Sequence, residues 1–557
     1  MKKVFVFCLI AMLSMMIMAA CGNGGDAPAA PAATPAAPAP VADGQAAADP
    51  QDIPDSWLVP ERTTIRVATS IAPNWAHPND GMFWSWLEEY TNVSVDWTVF
   101  FNDEAPEQFA LMMAAQDLPD AFIGQIVAFG GGDAAILLYG MELGVFLPLN
   151  DLIQSYAPNF LRRGLAENPN LLNLLTAPDG NIYSLPHISG GEIRVHNHTA
   201  INQTWLDNLG LEVPRTIEEV EQVLIAFRDG DPNGDGGNVI PLSFMFNCWG
   251  AADHGHWFAP FGAPLSPNYI LVKNNRVTFQ GAEEYFRDGA RWLASLYAQG
   301  LIDLEVFTYD EAMYRARAAS DPPVFGIWSS WNPANDSGPN HDHYTTWLPP
   351  VRGPGGASVL WEEVVGFQRN NFQITNVAPD PVLLMRWIDV FFQDLYTSLN
   401  AAWGPGPGED LAWFIDENDQ IQWTNPRPDE FIRGMNELPF APSITGFELA
   451  ARQAPPLTPN LKLNFINEVQ RPYAQNFLDG TWRRWPVTFM LPHEADEISF
   501  IEADMIPFTD RMLARWIAGE GDVDAEWDQF LRDLDAYGLQ RWLTIRQNVF
   551  DRFLAAG

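Results

Sequence analysis

Cysteine is scarce in this chain. Cys8, Cys21 and Cys248 are the three among 557 residues. That is too few for a disulfide framework, so the core itself must hold the body together. Basic residues are also few: 31 Lys and Arg stand against 70 Asp and Glu, for a net charge of -39. A polyanionic partner such as nucleic acid is excluded, because its affinity comes from neutralised phosphates. Polybasic attachment to anionic lipid is excluded on the same ground. The acidity reads as solubility and mutual repulsion at a crowded surface. Beyond residue 20 no apolar run reaches 18 residues, so no second membrane span is expected. Enzyme signatures are missing too. There is no Gly-x-x-x-x-Gly-Lys cradle, no Gly-x-Ser-x-Gly elbow and no His-Glu-x-x-His zinc helix. His493-Glu-Ala-Asp-Glu lacks the second histidine. Carboxylates are so abundant that a glycosidase pair carries no signal without geometry.

The start of the chain is informative. Lys2 and Lys3 precede an apolar run from Val4 to Met18, then Ala19, Ala20 and Cys21. Charged start, apolar middle and small-residue end describe a secretory signal over residues 1–20. The run is short for a permanent span, which needs about 20 residues. Cys21 directly after the small pair resembles the bacterial lipobox. In such lipoproteins the thiol takes a diacylglycerol, and the cysteine becomes the new N-terminus. The plainer alternative is an ordinary signal with an incidental cysteine. Residues 21–58 are rich in Gly, Ala, Pro, Asp and Gln. They cannot bury enough apolar surface to offset chain entropy, and read as a disordered tether. The expected location is the extracytoplasmic face of the cell membrane.

With 47% hydrophobic and 13% aromatic residues, the body can build more than one domain's core. Thr64 to Thr69 and Val93 to Val99 alternate as strands. Met82 to Tyr90 and Phe109 to Gln116 read as helices, and Ala121 to Gly124 as a further strand. This order predicts an α/β fold with a mostly parallel sheet. Ligands bind such sheets at the carboxyl ends of strands, which puts Ser70 to Trp75 and Ile123 to Ile126 at a cleft mouth.

Several stretches resemble bacterial extracellular solute-binding proteins. They are Leu147-Pro-Leu-Asn-Asp-Leu-Ile with Tyr156-Ala-Pro-Asn, and Ala177-Pro-Asp-Gly-Asn-Ile-Tyr-Ser-Leu-Pro186. Ile201-Asn-Gln-Thr-Trp-Leu-Asp-Asn-Leu-Gly-Leu211, followed by Val213-Pro-Arg-Thr-Ile-Glu-Glu, is similar to that family's signature nearly position for position. Ala290 to Asp303 and Trp527 to Phe553 resemble its later helices. The likeness runs from about 60 to 550, and it is nearest to the lipid-anchored type that serves carbohydrate importers. It implies a type II periplasmic-binding fold, two α/β lobes closing on a solute across hinge strands. We expect lobe 1 over 59–195 plus 325–375, and lobe 2 over 196–324 plus 376–557. The crossings are expected at Ile193 to Ile201, Val324 to Trp331 and Phe372 to Val377. In the resembled family the loop after Trp403, with Glu409, approaches the cleft.

Three constellations qualify as sites. The chain has 22 Trp, many in Gly/Pro/Asn-rich places. Flat rings stack on the apolar faces of sugars. Trp75, Trp249, Trp257, Trp328, Trp331 and Trp403 are the candidate stacking surfaces, whereas helix-spaced Trp292, Trp387, Trp516 and Trp527 read as core. Polar readers placed at the cleft mouth are Asn74, Asp120, Gln125, Arg194, His196 and Asn247. Second, Asp231, Asn233 and Asp235 with Gly236 match the front half of an EF-hand loop. The resembled family often carries calcium here, but this loop is one residue shorter and lacks the acidic pair before Ile240-Pro241. Position twelve is Leu242. Ca2+ is the one cofactor suggested, and a tight Asx-rich turn is the alternative. Third, six of nine His fall in pairs, 196/198, 254/256 and 341/343. On a strand that spacing puts both rings on one face, as a metal site would need.

The expectation is a non-catalytic, monomeric lipoprotein of an ABC importer. It captures a polar solute, an oligosaccharide, and presents it to the permease's transmembrane subunits. The alternatives are a surface glycan hydrolase and a metal-binding lipoprotein.

Overall fold

The computed structural model describes residues 59, 61–71, 77–194, 198–234, 236–246, 254–266, 268–330, 333–354, 363–408, 411–423, 441–445, 449, 482–483, 485–486 and 488–556. Its strands, in chain order, are β1 (Thr63–Ile71), β2 (Val93–Phe101), β3 (Ala121–Ile123), β4 (Leu185–Arg194), β5 (His198–Ile201), β6 (Ile240–Ser243), β7 (Ile270–Lys273), β8 (Arg276–Phe279), β9 (Phe325–Ser330), β10 (Thr346–Trp347), β11 (Glu363–Ile374), β12 (Trp413–Ile415), β13 (Ile421–Trp423), β14 (Ser443–Ile444) and β15 (Trp482–Arg483).

β1 is β-branched and ends in a fully buried run, as befits a strand covered on both faces. A helix, Met82–Thr91, follows and closes at Asn92, whose φ of 58° is left-handed. β2 then pairs parallel to β1. The helix Ala105–Ala115 leads through Gln116, also left-handed, to β3 on the other side of β1. The five expected elements are therefore present, with ends shifted by a few residues.

Two main sheets result. The first has the order β14-β4-β11-β3-β1-β2, and the second β10-β5-β9-β6. Each has its own core. Ile65, Val67, Phe83, Leu185, Phe372 and Trp387 pack around the first. Trp205, Phe227, Leu242, Phe286 and Ile327 pack around the second. The three C-terminal helices, Pro492–Ile517, Val523–Tyr537 and Leu539–Ala556, add Trp516, Trp527, Phe530 and Trp542 to that second core.

The chain passes from the first sheet to the second between Arg194 and His198. It returns between Trp347 and Glu363. It leaves again after β14, and β15 pairs with β7 beside the second core. The expected crossings are Ile193 to Ile201, Val324 to Trp331 and Phe372 to Val377. Phe325–Ser330 lies wholly within the second sheet, between β5 and β6. Beyond Ile374 the helix Pro381–Asp389 packs Leu384, Met385 and Trp387 into the first core, and β14 pairs with β4. β9 and β10 thus go with the second sheet, and the helix Pro381–Asp389 and β14 with the first. A β-branched run such as Val324–Ile327 reads alike whether it crosses a hinge or pairs in a sheet; only its partners decide.

Candidate functional site

Strand direction locates the site. β1 runs parallel to β2 and β3, and β14 runs parallel to β4. β11 is antiparallel to both β3 and β4, so the parallel strands all point the same way. Their carboxyl ends share one edge, where Arg194 leaves and Glu363, its register partner, enters. In the second sheet β5 begins at His198, opposite Ser330. β6 and β9 are parallel, and β10 is antiparallel to β5. The carboxyl ends of β6, β9 and β10 therefore meet the same two passages. Both sheets turn their carboxyl edges toward the chain crossings, the place where open α/β sheets bind ligands.

On the first edge stand Thr69 and Ser70 of β1, both buried. Their hydroxyls have no hydrogen-bond partner among the described residues. Gln125 follows β3 and opens the short helix Ile126–Phe129, half-buried. Gly124, at φ 79°, donates its N–H to the Asn371 carbonyl at 2.8 Å. That contact sits in a bulge of β11, between Gln368 and Phe372. The bulge turns Arg369 inward, only 3% exposed. Its Nε donates to Asp133 Oδ1 at 2.8 Å, its Nη2 to Asp133 Oδ2 at 2.5 Å, and its Nη1 to the Leu174 carbonyl at 2.8 Å.

On the second edge Thr199 of β5 and Ser329 of β9 face each other across the strands. Their hydroxyls are 2.8 Å apart, and His256 Nε2 reaches them at 3.1 and 3.3 Å. Ser330 Oγ is buried and has no partner among the described residues. Behind this polar cluster His254 stacks on Phe246, with centroids 4.4 Å apart and planes 6° from parallel. Burial lowers the His254 pKa to about 4, against a weaker opposing interaction of the ring N–H with the Phe246 backbone carbonyl. Its ring is neutral at physiological pH.

The predicted site residues distribute unevenly. Cys21, Asn74, Trp75, His196, Asn247, Trp249, Trp331, Asp235 and Glu409 lie outside the described residues. Arg194 ends β4 at the edge, and Trp403 ends the helix Leu395–Trp403; their side chains are not described. Gln125 follows β3 at its carboxyl end. Asp120 instead precedes β3, at the sheet's far edge, and its carboxylate is held by the Arg66 guanidinium at 2.8 Å and the Arg66 N–H at 2.9 Å. Trp328 is fully enclosed by Tyr314, Phe325 and Tyr344, and Trp257 packs on Trp292 in the second core. Neither ring offers a free face. The predicted core Trp387, Trp516 and Trp527 are all buried.

The two described histidine pairs, 254/256 and 341/343, do not converge. Residues 255–258 form a 3-10 turn rather than a strand, so His254 stacks inward while His256 reaches the hydroxyls. His343 bonds Thr204, and His341 stands beside Asp342. Among the described residues no three His, Cys, Asp or Glu come together as metal ligands. The calcium-like loop fits poorly as well. Asn233 Oδ1 accepts from Trp205 Nε1 at 2.7 Å, and Leu242 is buried in β6. Calcium needs about six to eight oxygens, more than the described residues of this loop supply.

The Thr199, Ser329 and Ser330 hydroxyls at this edge were not singled out from the sequence. Their signal was the Ser-Ser pair at the end of a buried strand, where alternation calls for one apolar side chain. A cavity of about 330 Å3 lies elsewhere, between β2 and the helix Ala105–Ala115, bordered by Arg66 and Asp117. It is remote from the chain crossings.

No family model matches the chain. A curated relative, the fructooligosaccharide ABC transporter substrate-binding protein FusA of Streptococcus pneumoniae, is 33% identical over 89% of this chain and 91% of its own length. The solved structure of S. pneumoniae FusA with kestose superposes with a TM-score of 0.78 at 31% identity, over 89% of this chain and all of that one. A second structure, of a FusA EF-hand mutant with fructo-nystose, matches equally, with a TM-score of 0.78.

Proposed function

We propose, for a chain that belongs to the substrate-binding proteins of oligosaccharide ABC transporters, that it captures a neutral oligosaccharide between the carboxyl edges of its two sheets. It has the two-lobed type II binding-protein fold, and it is a binding protein rather than an enzyme. Its place is outside the cytoplasm, and no described helix is long and apolar enough to cross a membrane. The observation that carries the site is the shared direction of the two edges. Thr69, Ser70 and Gln125 come from one lobe and Thr199, Ser329, Ser330 and His256 from the other. Both sets lie on the carboxyl edges that face the chain crossings. Hydroxyls, an amide and an imidazole suit the hydroxyls of a sugar, donating and accepting in turn. A net charge of -39 repels uronate chains and favours a neutral ligand. Fructose-based chains of the kestose type are the first to test, since the similar FusA was solved with kestose.

The solute then passes unchanged to the permease, with the protein acting as a monomer. Cys21 carries the lipid that holds it at the outer membrane face; the sequence around that cysteine supports this reading. A thermal-shift screen tests the ligand class, because a ligand that binds only the native state raises its melting temperature. Kestose and nystose should raise it, and oligogalacturonates should not. A response to uronates alone would overturn the assignment.

A further inference from the structure

The loop from Asp231 to Leu242 holds the front half of a calcium site, yet the structure gives Asp231 and Asn233 other work. Asn233 occupies the third ligand position. Its Oδ1 accepts the indole N–H of Trp205 at 2.7 Å, and its Nδ2 donates to the Pro323 carbonyl at 2.9 Å. These partners fix which way the amide faces, because a flip would set N–H against N–H and oxygen against oxygen. Trp205 lies in the helix Gln203–Leu209, 1% exposed, with its ring edge-on to Phe227 at 5.2 Å. Burial there demands a partner for its N–H, and Asn233 provides it.

Other described groups of the loop are hydrogen-bonded within the protein as well. Both carboxylate oxygens of Asp231 accept the Gly236 N–H, at 3.0 and 3.1 Å. Gly234 donates to the Asp231 carbonyl at 2.9 Å, and Asn208 Nδ2 to the Pro232 carbonyl at 2.9 Å. Gly234 and Gly236 take left-handed φ of 69° and 66°, which lets the chain turn this tightly. By Ile240 the chain is already in β6, paired parallel to β9. The closing ligand position is Leu242, wholly buried opposite Ile327. No carboxylate can close the loop from there.

We infer that this loop keeps its shape without a divalent cation. The Trp205–Asn233 hydrogen bond supplies the cross-link that a metal would make. With its second bond, to the Pro323 carbonyl, Asn233 ties three pieces of the second lobe together: the helix Gln203–Leu209, the loop, and the Pro323 approach to β9. Since β9 ends at Ser329 and Ser330, the tie also supports the ligand edge. Structure and sugar binding should both be independent of calcium.

The experiment uses the purified full-length protein in excess EGTA or in millimolar CaCl2. Thermal unfolding and kestose affinity should be the same in both, and elemental analysis after gel filtration should find no stoichiometric calcium. Trp205→Phe keeps the ring but removes the N–H. It should lower the melting temperature by about 1–2 °C, equally with and without calcium. One calcium per chain, a fall of several degrees in EGTA, or calcium rescue of Trp205→Phe would each overturn the inference. The melting temperature reads the loop without any sugar present, so the result stands apart from the ligand assignment.

Discussion

Arg369 and Phe489 join the two halves of the molecule. The Arg369 guanidinium lies 3.6 Å from the centre of the Phe489 ring. Arg369 belongs to the β11 bulge at the edge of the first sheet. Phe489 sits between Trp485 and Met490, which pack on the second core, just before the first C-terminal helix. Phe489 itself packs against the first lobe's Phe109, Phe122 and Tyr183 cluster. The contact therefore spans the lobes.

Phe489→Leu tests the contact, because it keeps apolar bulk and loses the ring. With the guanidinium buried, the loss should be about 1–2 kcal/mol. Urea unfolding reads it. Unchanged stability would show that the ring contributes by bulk alone.

His254 predicts a pH dependence. Its pKa is lowered from 6.5 to about 4 by burial. Above pH 6.5 the ring is neutral in both folded and unfolded chains, and its full contribution is present. Between 6.5 and about 4 the unfolded chain takes up a proton that the folded chain refuses, so stability falls as pH falls. The loss by pH 4 is up to roughly 3 kcal/mol from this group. Comparing urea midpoints of the wild type and His254→Phe at pH 7.5 and 5 checks it. The variant should show the shallower decline; equal declines would place the pH sensitivity elsewhere.

Trp328 separates core from stacking surface. Enclosed by Tyr314, Phe325 and Tyr344, it should act through stability. Trp328→Ala should cost about 3–5 kcal/mol. The milder Trp328→Phe should still bind kestose within about twofold of the wild type. An affinity loss of tenfold or more in Trp328→Phe, without a matching loss of stability, would return this ring to the binding surface.

Much of the fold was legible from local pattern. Alternation and β-branching placed β1, β2 and β3, and helical spacing marked Trp387, Trp516 and Trp527 as core. The lobe boundaries were not legible, because Val324–Ile327 and Phe372–Ile374 are equally good strands in either sheet. Asp120 was misplaced for a related reason. A carboxylate beside a strand can stand at either end of it, and here Arg66 claims it at the amino end. Trp328 misled because flanking Gly and Ser suggested a loop, whereas those small residues let bulky rings close around it. His254 and His256 followed a spacing rule for strands in a segment that folds as a tight turn.

The most direct measurement is calorimetric titration of kestose into the wild type, Ser70→Ala and Ser330→Ala. These hydroxyls stand on opposite edges, one from each lobe. One site per chain is expected, and each variant should bind about 2- to 10-fold more weakly, the worth of one hydrogen bond, with little change in melting temperature. Wild-type affinity in both variants, or heat only from uronate chains, would contradict a neutral sugar held between the two sheets.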